Sequence, residues 1–140
     1  MLRKTIYITL FSLVLPQGYN MDLVSFMDFG QNVSDITGFY QDSREFAVIG
    51  LQDAASFVDI TDPSNPVELG RISGGNSIWR DLKYWNRHVY IGTEASDGVK
   101  VVSVNDPDNP TLVSTISDFG NSHNIHIDAD GYLYVVGASS

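Results

Sequence analysis

The sequence has no cysteine, few positive charges and no apolar run long enough to cross a membrane as a helix. The absence of cysteine excludes a disulfide scaffold, a thiolate zinc site and a cysteine nucleophile. The 140 residues include 8 Lys and Arg against 17 Asp and Glu, for a formal net charge of −9. This balance argues against binding to nucleic acids or anionic membranes, because phosphate contacts need clustered Lys and Arg. Sustained helical periodicity of apolar residues is also missing.

Residues 1–18 are predicted to form a secretory signal peptide. Arg3 and Lys4 make a short basic start, residues 6–15 are mainly apolar, and residues 16–18 form a polar, turn-prone end. The apolar run is shorter than the about 20 residues that a transmembrane helix needs. A buried N-terminal strand is the alternative interpretation. Cleavage of the signal would leave a mature N-terminus between residues 18 and 22.

The rest of the chain contains an internal repeat. The segments 59–66 (DITDPSNP) and 103–110 (SVNDPDNP) are nearly alike, and their prolines lie 44 residues apart. Two runs rich in β-branched residues precede each segment, and a third copy begins near residue 122. A fixed period of about 40 to 50 residues is typical of a propeller or another repeat array.

Each repeat is predicted to contain four short strands. In the middle copy they are expected at residues 79–85, 88–93, 99–104 and 111–116, bounded by turn residues. The Asp-Gly pairs at 97–98 and 130–131 are predicted to form tight hairpin turns, because glycine tolerates a positive φ. Apolar residues make up 43% of the chain, enough for a folded core. The predicted fold class is all-β, a β-propeller of four-stranded antiparallel blades.

The predicted propeller is incomplete, with about two and a half blades in residues 19–140. Even a small ring has about four blades. We therefore expect the chain to be the N-terminal part of a longer protein, and a ring assembled from several copies is the alternative. The predicted units are an outer closing strand at 23–29, repeat one at 35–72, repeat two at 78–116 and a truncated repeat three at 122–140.

Three sequence features together resemble one known family. They are the segments 77–83 (SIWRDLK) and 122–128 (SHNIHID), and the turns of the type VDITDP at 58–63. From Leu23 to Ser140 the chain resembles the choice-of-anchor B proteins, which are secreted bacterial propellers built from LVIVD-type repeats. The resemblance implies a signal peptide, an extracellular or cell-surface location, and a surface anchor in a C-terminal part not included in this sequence. It implies no enzymatic activity.

Unusual polar residues stand at corresponding places in the repeats. The pairs at 37–38, 80–81 and 123–124 are each spaced by 43 residues, and each is expected near the start of an innermost strand. Such positions converge on the central channel of a propeller, where convergent polar groups indicate a binding site. The candidate ligand-binding residues are Arg80, Asp81, His123, Asn124 and His126. The alternative is structural: Arg80 and Asp81 would lock neighbouring blades, and His123 would bond a backbone carbonyl.

No cofactor, metal site or catalytic residue is predicted. His126 and Asp128 share a strand face, but two ligands do not make a metal site. Residues 128–131 (DADG) begin like a calcium loop and lack its later ligands, so a hairpin turn is the better interpretation. Calcium could screen the acidic charge outside the cell, but no complete loop supports it. A nucleophile elbow and a phosphate-binding glycine loop are also missing.

The aromatic residues of the middle repeat are predicted to pack between blades. Trp79, Tyr84 and Trp85 lie on its innermost strand, where both faces of a blade are buried. Stacking against a sugar is the alternative.

The predicted function is that of a secreted or cell-surface, non-enzymatic binding or interaction module. Its ligand, a protein or a small molecule, is unknown. One alternative is an extracellular enzyme whose channel-mouth site uses Arg80, Asp81 and His123 with residues of further blades. Another is a purely structural surface module.

Overall fold

A computed structural model of the chain describes residues 21–139, and the predicted signal peptide at 1–18 lies outside them. The described residues form ten β-strands and no helix. Within this range, no helix is therefore long and apolar enough to span a bilayer. The strands are β1 (Val33–Gln41), β2 (Arg44–Leu51), β3 (Ala54–Asp59), β4 (Val67–Ser73), β5 (Arg80–Trp85), β6 (His88–Thr93), β7 (Val99–Ser103), β8 (Thr111–Ile116), β9 (Asn124–Ile127) and β10 (Leu133–Val136).

The strands form two four-stranded sheets, β1-β2-β3-β4 and β5-β6-β7-β8, and the hairpin β9-β10. All neighbours are antiparallel and follow chain order. The prediction of an all-β chain with four-stranded antiparallel sheets is confirmed. The four strands of the second sheet begin and end within one residue of the predicted bounds, because turn residues punctuate short β-branched runs.

The core lies between the first two sheets. Phe39 stacks on Phe46 with ring centroids 4.9 Å apart, and on Tyr84 of the second sheet at 4.7 Å. The other buried residues of this cluster are Val48, Ala55, Phe57, Leu82, Val89, Ile91, Val102 and Val104. Strand β5 packs beside β1 and β2, and β9 packs beside β5 and β6, so the first strands of successive sheets are neighbours. This packing removes a large apolar area from water and stabilises the pair of sheets.

The repeated Asp-Pro segments form equivalent turns between the third and fourth strands. The Oδ1 atom of Asp62 accepts a hydrogen bond from the backbone N–H of Ser64 at 3.0 Å. The Oδ1 atom of Asp106 accepts one from Asp108 N–H at 3.2 Å. An aspartate that bonds the backbone two residues later closes a turn without a strand partner. The sequence repeat is thus a structural repeat.

Asp130-Gly131 lies in the tight turn of the β9-β10 hairpin as predicted, with Gly131 at a positive φ, whereas Asp97-Gly98 lies at the end of a longer connection. Residues 94–98 connect β6 to β7 and residues 128–132 connect β9 to β10, so neither connection is a two-residue turn. Two of the two-residue hairpin turns, Asp42-Ser43 and Asn86-Arg87, have a positive φ at both residues. Both central residues of a type I′ turn need this conformation, which glycine, asparagine and aspartate adopt most easily. Ser43 and Arg87 adopt it without that advantage.

Residues 23–29, predicted as an outer closing strand, belong to no strand within the described range. The segment lies along the outer face of the first sheet, and a mainly apolar groove of about 490 Å³ separates the two. Ser25 Oγ donates a hydrogen bond to the carbonyl of Pro63 at 2.6 Å. A strand needs a neighbour for its backbone hydrogen bonds, and neither described sheet offers one here. The predicted closing role stays a prediction.

Candidate functional site

Two aspartates connect the first strands of successive repeats. The Oδ2 atom of Asp35 in β1 accepts a hydrogen bond from the backbone N–H of Leu82 in β5 at 2.8 Å. The Oδ2 atom of Asp81 in β5 accepts one from Ile125 N–H in β9 at 2.5 Å. The same bond is thus made twice, each time from one repeat to the next. A carboxylate that bonds a backbone N–H is a strong acceptor, because it is charged.

These bonds correct the predicted equivalence of positions in repeat one. Asp35, rather than Gly38, occupies the place of Asp81. The cause is the length of the first hairpin. Six residues lie between Phe39 and Phe46, which pair across the first hairpin, whereas only two lie between Trp85 and His88, the corresponding pair of the second hairpin. The 43-residue spacing therefore holds between repeats two and three but not between repeats one and two.

Lys83 lies between the two aspartates. Its Nζ atom donates a hydrogen bond to Asp81 Oδ1 and is 3.7 Å from Asp35 Oδ2. Burial opposes the ionisation of Asp35, but hydrogen bonds, first of all from the Leu82 N–H, hold its pKa below the ordinary value, and the charge of Lys83 adds to this effect. Both carboxylates are therefore already paired inside the protein.

The guanidinium of Arg80 ties the second sheet to the first. Its Nε atom donates to the carbonyl of Leu51 at 2.6 Å, and one terminal nitrogen donates to the carbonyls of Gln52 at 3.1 Å and of Gly75. The residue is only 4% exposed. Burial lowers the pKa of Arg80, which nonetheless stays charged because an arginine starts far above neutral pH. This geometry supports the interlocking alternative for Arg80 and Asp81.

The remaining candidate residues are exposed. The side chain of His123 is 63% exposed, and its Nδ1 atom lies 2.5 Å from Glu94 Oε1 rather than on a backbone carbonyl. Asn124 is also exposed, at the start of β9. His126 is exposed in the same strand and contacts the ring of Tyr134, with the ring centroids 6.3 Å apart.

Four of the five candidate residues line one cleft of about 700 Å³, and His126 does not. The cleft opens at the starts of the neighbouring strands β1, β5 and β9. The structure thus brings the residue pairs 80–81 and 123–124 together, although Arg80 and Asp81 use their polar atoms within the protein. The lining residues are Asn32, Val33, Ser34, Asp35, Ile78, Trp79, Arg80, Asp81, His123 and Asn124.

Trp79 is the aromatic residue of this cleft, and it does not pack between sheets as predicted. It is 55% exposed, and its neighbour Ile78 is 53% exposed. The prediction holds for Tyr84, which stacks on Phe39 between the sheets. Trp79 differs because it lies one residue before β5. The alternation of side chains between the two faces of the sheet begins only with the strand itself.

The described residues offer no ready metal site. Between residues 21 and 139, no three His, Asp or Glu side chains are grouped so that they could hold a metal ion. Asp128 uses its carboxylate in its own hairpin, where Oδ1 accepts the N–H groups of Asp130 and Tyr132 and Oδ2 accepts the Tyr134 hydroxyl. This carboxylate closes the turn between β9 and β10.

Comparison with protein-family models, with curated proteins and with solved structures gives no match for this chain. The fold defines the class only as an all-β protein of repeated antiparallel four-stranded sheets. The resemblance to the choice-of-anchor B proteins stays a prediction.

Proposed function

We propose that the protein is a secreted or cell-surface, non-enzymatic β-propeller of the LVIVD-repeat, choice-of-anchor B kind, and that it binds a ligand in the cleft at the starts of β1, β5 and β9. The observation that carries the binding proposal is a division of roles within this cleft. Arg80 and Asp81 hold the sheets together, whereas Trp79, His123 and Asn124 present exposed side chains to the same space.

The propeller proposal is supported by the way the repeats adjoin. First strands of successive repeats are neighbours, and the same aspartate-to-backbone bond joins each pair. Continued with further repeats, this arrangement brings first strands around a central axis and closes a ring. Solution scattering of the full-length protein, with all of its repeats, tests this idea, because a disc with a central channel is expected. An elongated particle contradicts it.

Binding is favoured over catalysis by the state of the polar groups. The guanidinium of Arg80 has three backbone carbonyls as acceptors, and the Asp81 carboxylate has the Ile125 N–H and Lys83 as donors. A general acid or base must be free to reach the proton that it transfers. Neither group meets this requirement, whereas a cleft with a few exposed polar side chains suits recognition.

The binding proposal is tested with three variants probed on a printed array of peptides and glycans. Arg80→Ala is expected to lower the melting temperature. Asn124→Ala is expected to keep the wild-type melting temperature and to lose the array members that the wild type binds. Asp130→Ala, an exposed change in the β9–β10 turn, is the matched control and keeps them. An array without any bound member, or binding that survives Asn124→Ala, contradicts the proposal.

The same experiment also tests the alternative that the protein is an enzyme. Chemical conversion of a bound array member, lost in His123→Ala with the fold intact, would establish catalysis and overturn the non-enzymatic proposal. Secretion is tested separately by sequencing the N-terminus of protein recovered from the culture medium. A start between residues 18 and 22 supports export with cleavage, and a start at Met1 contradicts it.

A further inference from the structure

We infer that the cleft binds a neutral saccharide, with one sugar ring stacked on the face of Trp79. This inference rests on the proposed binding function and names the chemical class of its ligand. It follows from three observations: an exposed indole on a backbone held by hydrogen bonds, polar groups of the kinds that hydroxyls need, and charges that are already paired within the protein.

Four hydrogen bonds hold the backbone of Trp79 in place. Its N–H donates to Ser77 Oγ at 3.0 Å, and its carbonyl accepts from Ser77 Oγ at 3.0 Å, from Thr93 Oγ1 at 3.3 Å and from Glu94 N–H at 3.4 Å. The side chain nevertheless remains 55% exposed. An aromatic ring on a fixed backbone loses little conformational entropy on binding, which makes it an efficient anchor. The axial C–H groups of a sugar present the apolar face that such a ring contacts.

Polar groups near Trp79 match the hydroxyls of a sugar ring. The exposed amide of Asn124 can both donate and accept hydrogen bonds, and the carboxylate of Asp35 can accept them. A hydroxyl is donor and acceptor at once, so a mixed set of this kind can satisfy neighbouring hydroxyls. The cleft volume of about 700 Å³ lies within the range of small-molecule sites, about 300 to 1,000 Å³.

The charges of the cleft favour a neutral ligand. Lys83 pairs with both Asp35 and Asp81, and Glu94 lies beside His123. The guanidinium of Arg80 faces backbone carbonyls of the first sheet and is not available to an anion. Among the described residues that line the cleft, Arg80 is the one Lys or Arg side chain and it is already paired, so a phosphate or sulfate group would meet carboxylates there without a free Lys or Arg partner. A strongly cationic ligand would have to compete with the existing partner of each carboxylate.

The chain allows a direct optical test because it contains only two tryptophans. Trp85 lies against Gly131 outside the cleft, so Trp85→Phe leaves Trp79 as the single indole fluorophore. This variant is titrated with neutral glucan, mannan and N-acetylglucosamine oligomers. We expect a saturable change of its emission with at least one series. Calorimetry with the same oligomer is expected to show about tenfold or more weaker binding for Trp79→Ala, as for an aromatic anchor at the centre of a site.

Two variants separate stacking from folding. Trp79→Phe keeps an aromatic face and is expected to retain part of the affinity. Tyr40→Ala removes a ring that is 67% exposed on β1 outside the cleft, and it is expected to bind as the wild type does. Melting temperatures check that each variant is folded. Equal binding by Trp79→Ala and the wild type overturns the inference.

The failure of this inference is distinguishable from failure of the proposed function. If only peptides bind, and Asn124→Ala abolishes their binding, the saccharide assignment is wrong while the binding function stands. Stronger binding of sulfated than of neutral oligosaccharides likewise overturns the neutral assignment alone. If neither sugars nor peptides bind, both proposals fail.

Discussion

The carboxylate of Asp81 reaches from β5 to the backbone N–H of Ile125 in β9, with 2.5 Å between Oδ2 and the nitrogen. Asp35 makes the same bond to Leu82 one repeat earlier. No backbone ladder joins the first strands of successive repeats within residues 21–139, so these side chains supply the directed polar link between them. Apolar packing between sheets is non-directional, whereas a charged hydrogen bond fixes which residues face each other.

Replacement of Asp81 by alanine is expected to destabilise the fold by about 3 kcal/mol, the usual effect of removing one partner of a buried charged network. The change leaves the Ile125 N–H and the Lys83 ammonium without their acceptor. Urea unfolding followed by tryptophan fluorescence measures the loss. Because Asp81 is only 6% exposed, water cannot readily replace its carboxylate.

Asp81→Asn tests the hydrogen bond apart from the charge. The amide oxygen can still accept from Ile125 N–H, so we expect roughly half of the loss, since a neutral bond is about half as strong as a charged one. Asp118→Ala, at an exposed position, is the control and is expected to change stability by less than about 0.5 kcal/mol. A loss in Asp81→Ala no larger than that of the control contradicts the proposed link.

Acid sensitivity is expected from a further link between the repeats, made by Arg44. Its guanidinium donates to Asp59 at 2.7 Å and to Asp108 of the next repeat at 2.8 and 2.9 Å. Burial opposes the ionisation of Asp59, but hydrogen bonds from Thr61 and Arg44 outweigh it and lower its pKa to about 2. The hydrogen bond to Arg44 is the main reason why the pKa of Asp108 is also low.

A carboxylate with a lower pKa in the folded state stabilises the protein above its unfolded pKa, about 4, and loses this contribution as the pH falls through the folded pKa. The free energy of unfolding should therefore decline from about pH 4 to about pH 2. In Arg44→Met this decline should be smaller, so the two stability curves converge at low pH. Urea unfolding at several pH values measures both. Arg87→Met, which removes a longer contact of 3.5 Å to Asp42, is the control.

Curves for the wild type and Arg44→Met that stay parallel from neutral pH to pH 2 would contradict this linkage. Arg44 is partly exposed and Asp108 is exposed, which makes the effect sensitive to salt, because ions screen charge pairs that water reaches. Added salt should therefore narrow the difference between wild type and Arg44→Met at neutral pH.

The strands could be predicted from the sequence because their signals are local. Short β-branched runs between Asp, Gly and Pro residues locate a strand wherever it lies in the fold. The equivalence of Asp35 and Asp81 could not be predicted in this way, because it depends on the length of the first hairpin. Between corresponding paired residues, the first hairpin is four residues longer than the second. The 44-residue period of the Asp-Pro turns gives no information about this difference in hairpin length.

The position of the cleft was partly predictable, because the repeat spacing of polar residues is also visible in the sequence. The spacing of unusual polar residues indicated where first strands meet, but the role of Arg80 depends on which carbonyls of the preceding sheet its guanidinium reaches. The sequence predicts Trp79 between blades because aromatic residues on inner strands are commonly buried. Its exposure follows from tertiary position, one residue before β5 begins, and no sequence pattern marks that boundary.

Gly98 is expected to tolerate no side chain. Its φ is +65°, and a Cβ would lie 2.2 Å from the carbonyl oxygen of Ile116. Gly30 has nearly the same φ, +67°, but a Cβ there would have no atom within 4 Å, so it is the matched control. Gly30→Ala should cost about 1 kcal/mol for the conformation alone. Gly98→Ala should cost at least about 2 kcal/mol more, because backbone must move. Thermal unfolding measures both, and equal losses contradict the steric argument.

The turn at Asn86-Arg87 offers a stabilising change. Both residues have a positive φ, 46° and 59°, in a two-residue hairpin turn between β5 and β6. Arg87→Gly would remove the steric cost of a Cβ in this conformation, about 1 to 2 kcal/mol. The greater freedom of glycine in the unfolded chain offsets about 0.5 to 1 kcal/mol of that gain. We expect a net gain of about 0.5 kcal/mol from these opposing effects, measured by urea unfolding.

Arg87→Ala separates this backbone effect from the loss of the arginine side chain. Both variants lose the contact with Asp42, which is 3.5 Å long and exposed and therefore contributes little. Only the glycine variant relieves the positive φ, so its stability should exceed that of the alanine variant by more than it exceeds that of the wild type. The carbonyl of residue 87 accepts the Val104 N–H at 2.9 Å, a backbone bond that both substitutions leave available and that keeps the turn in place. An alanine variant as stable as the glycine variant would show that this turn carries no strain that glycine relieves.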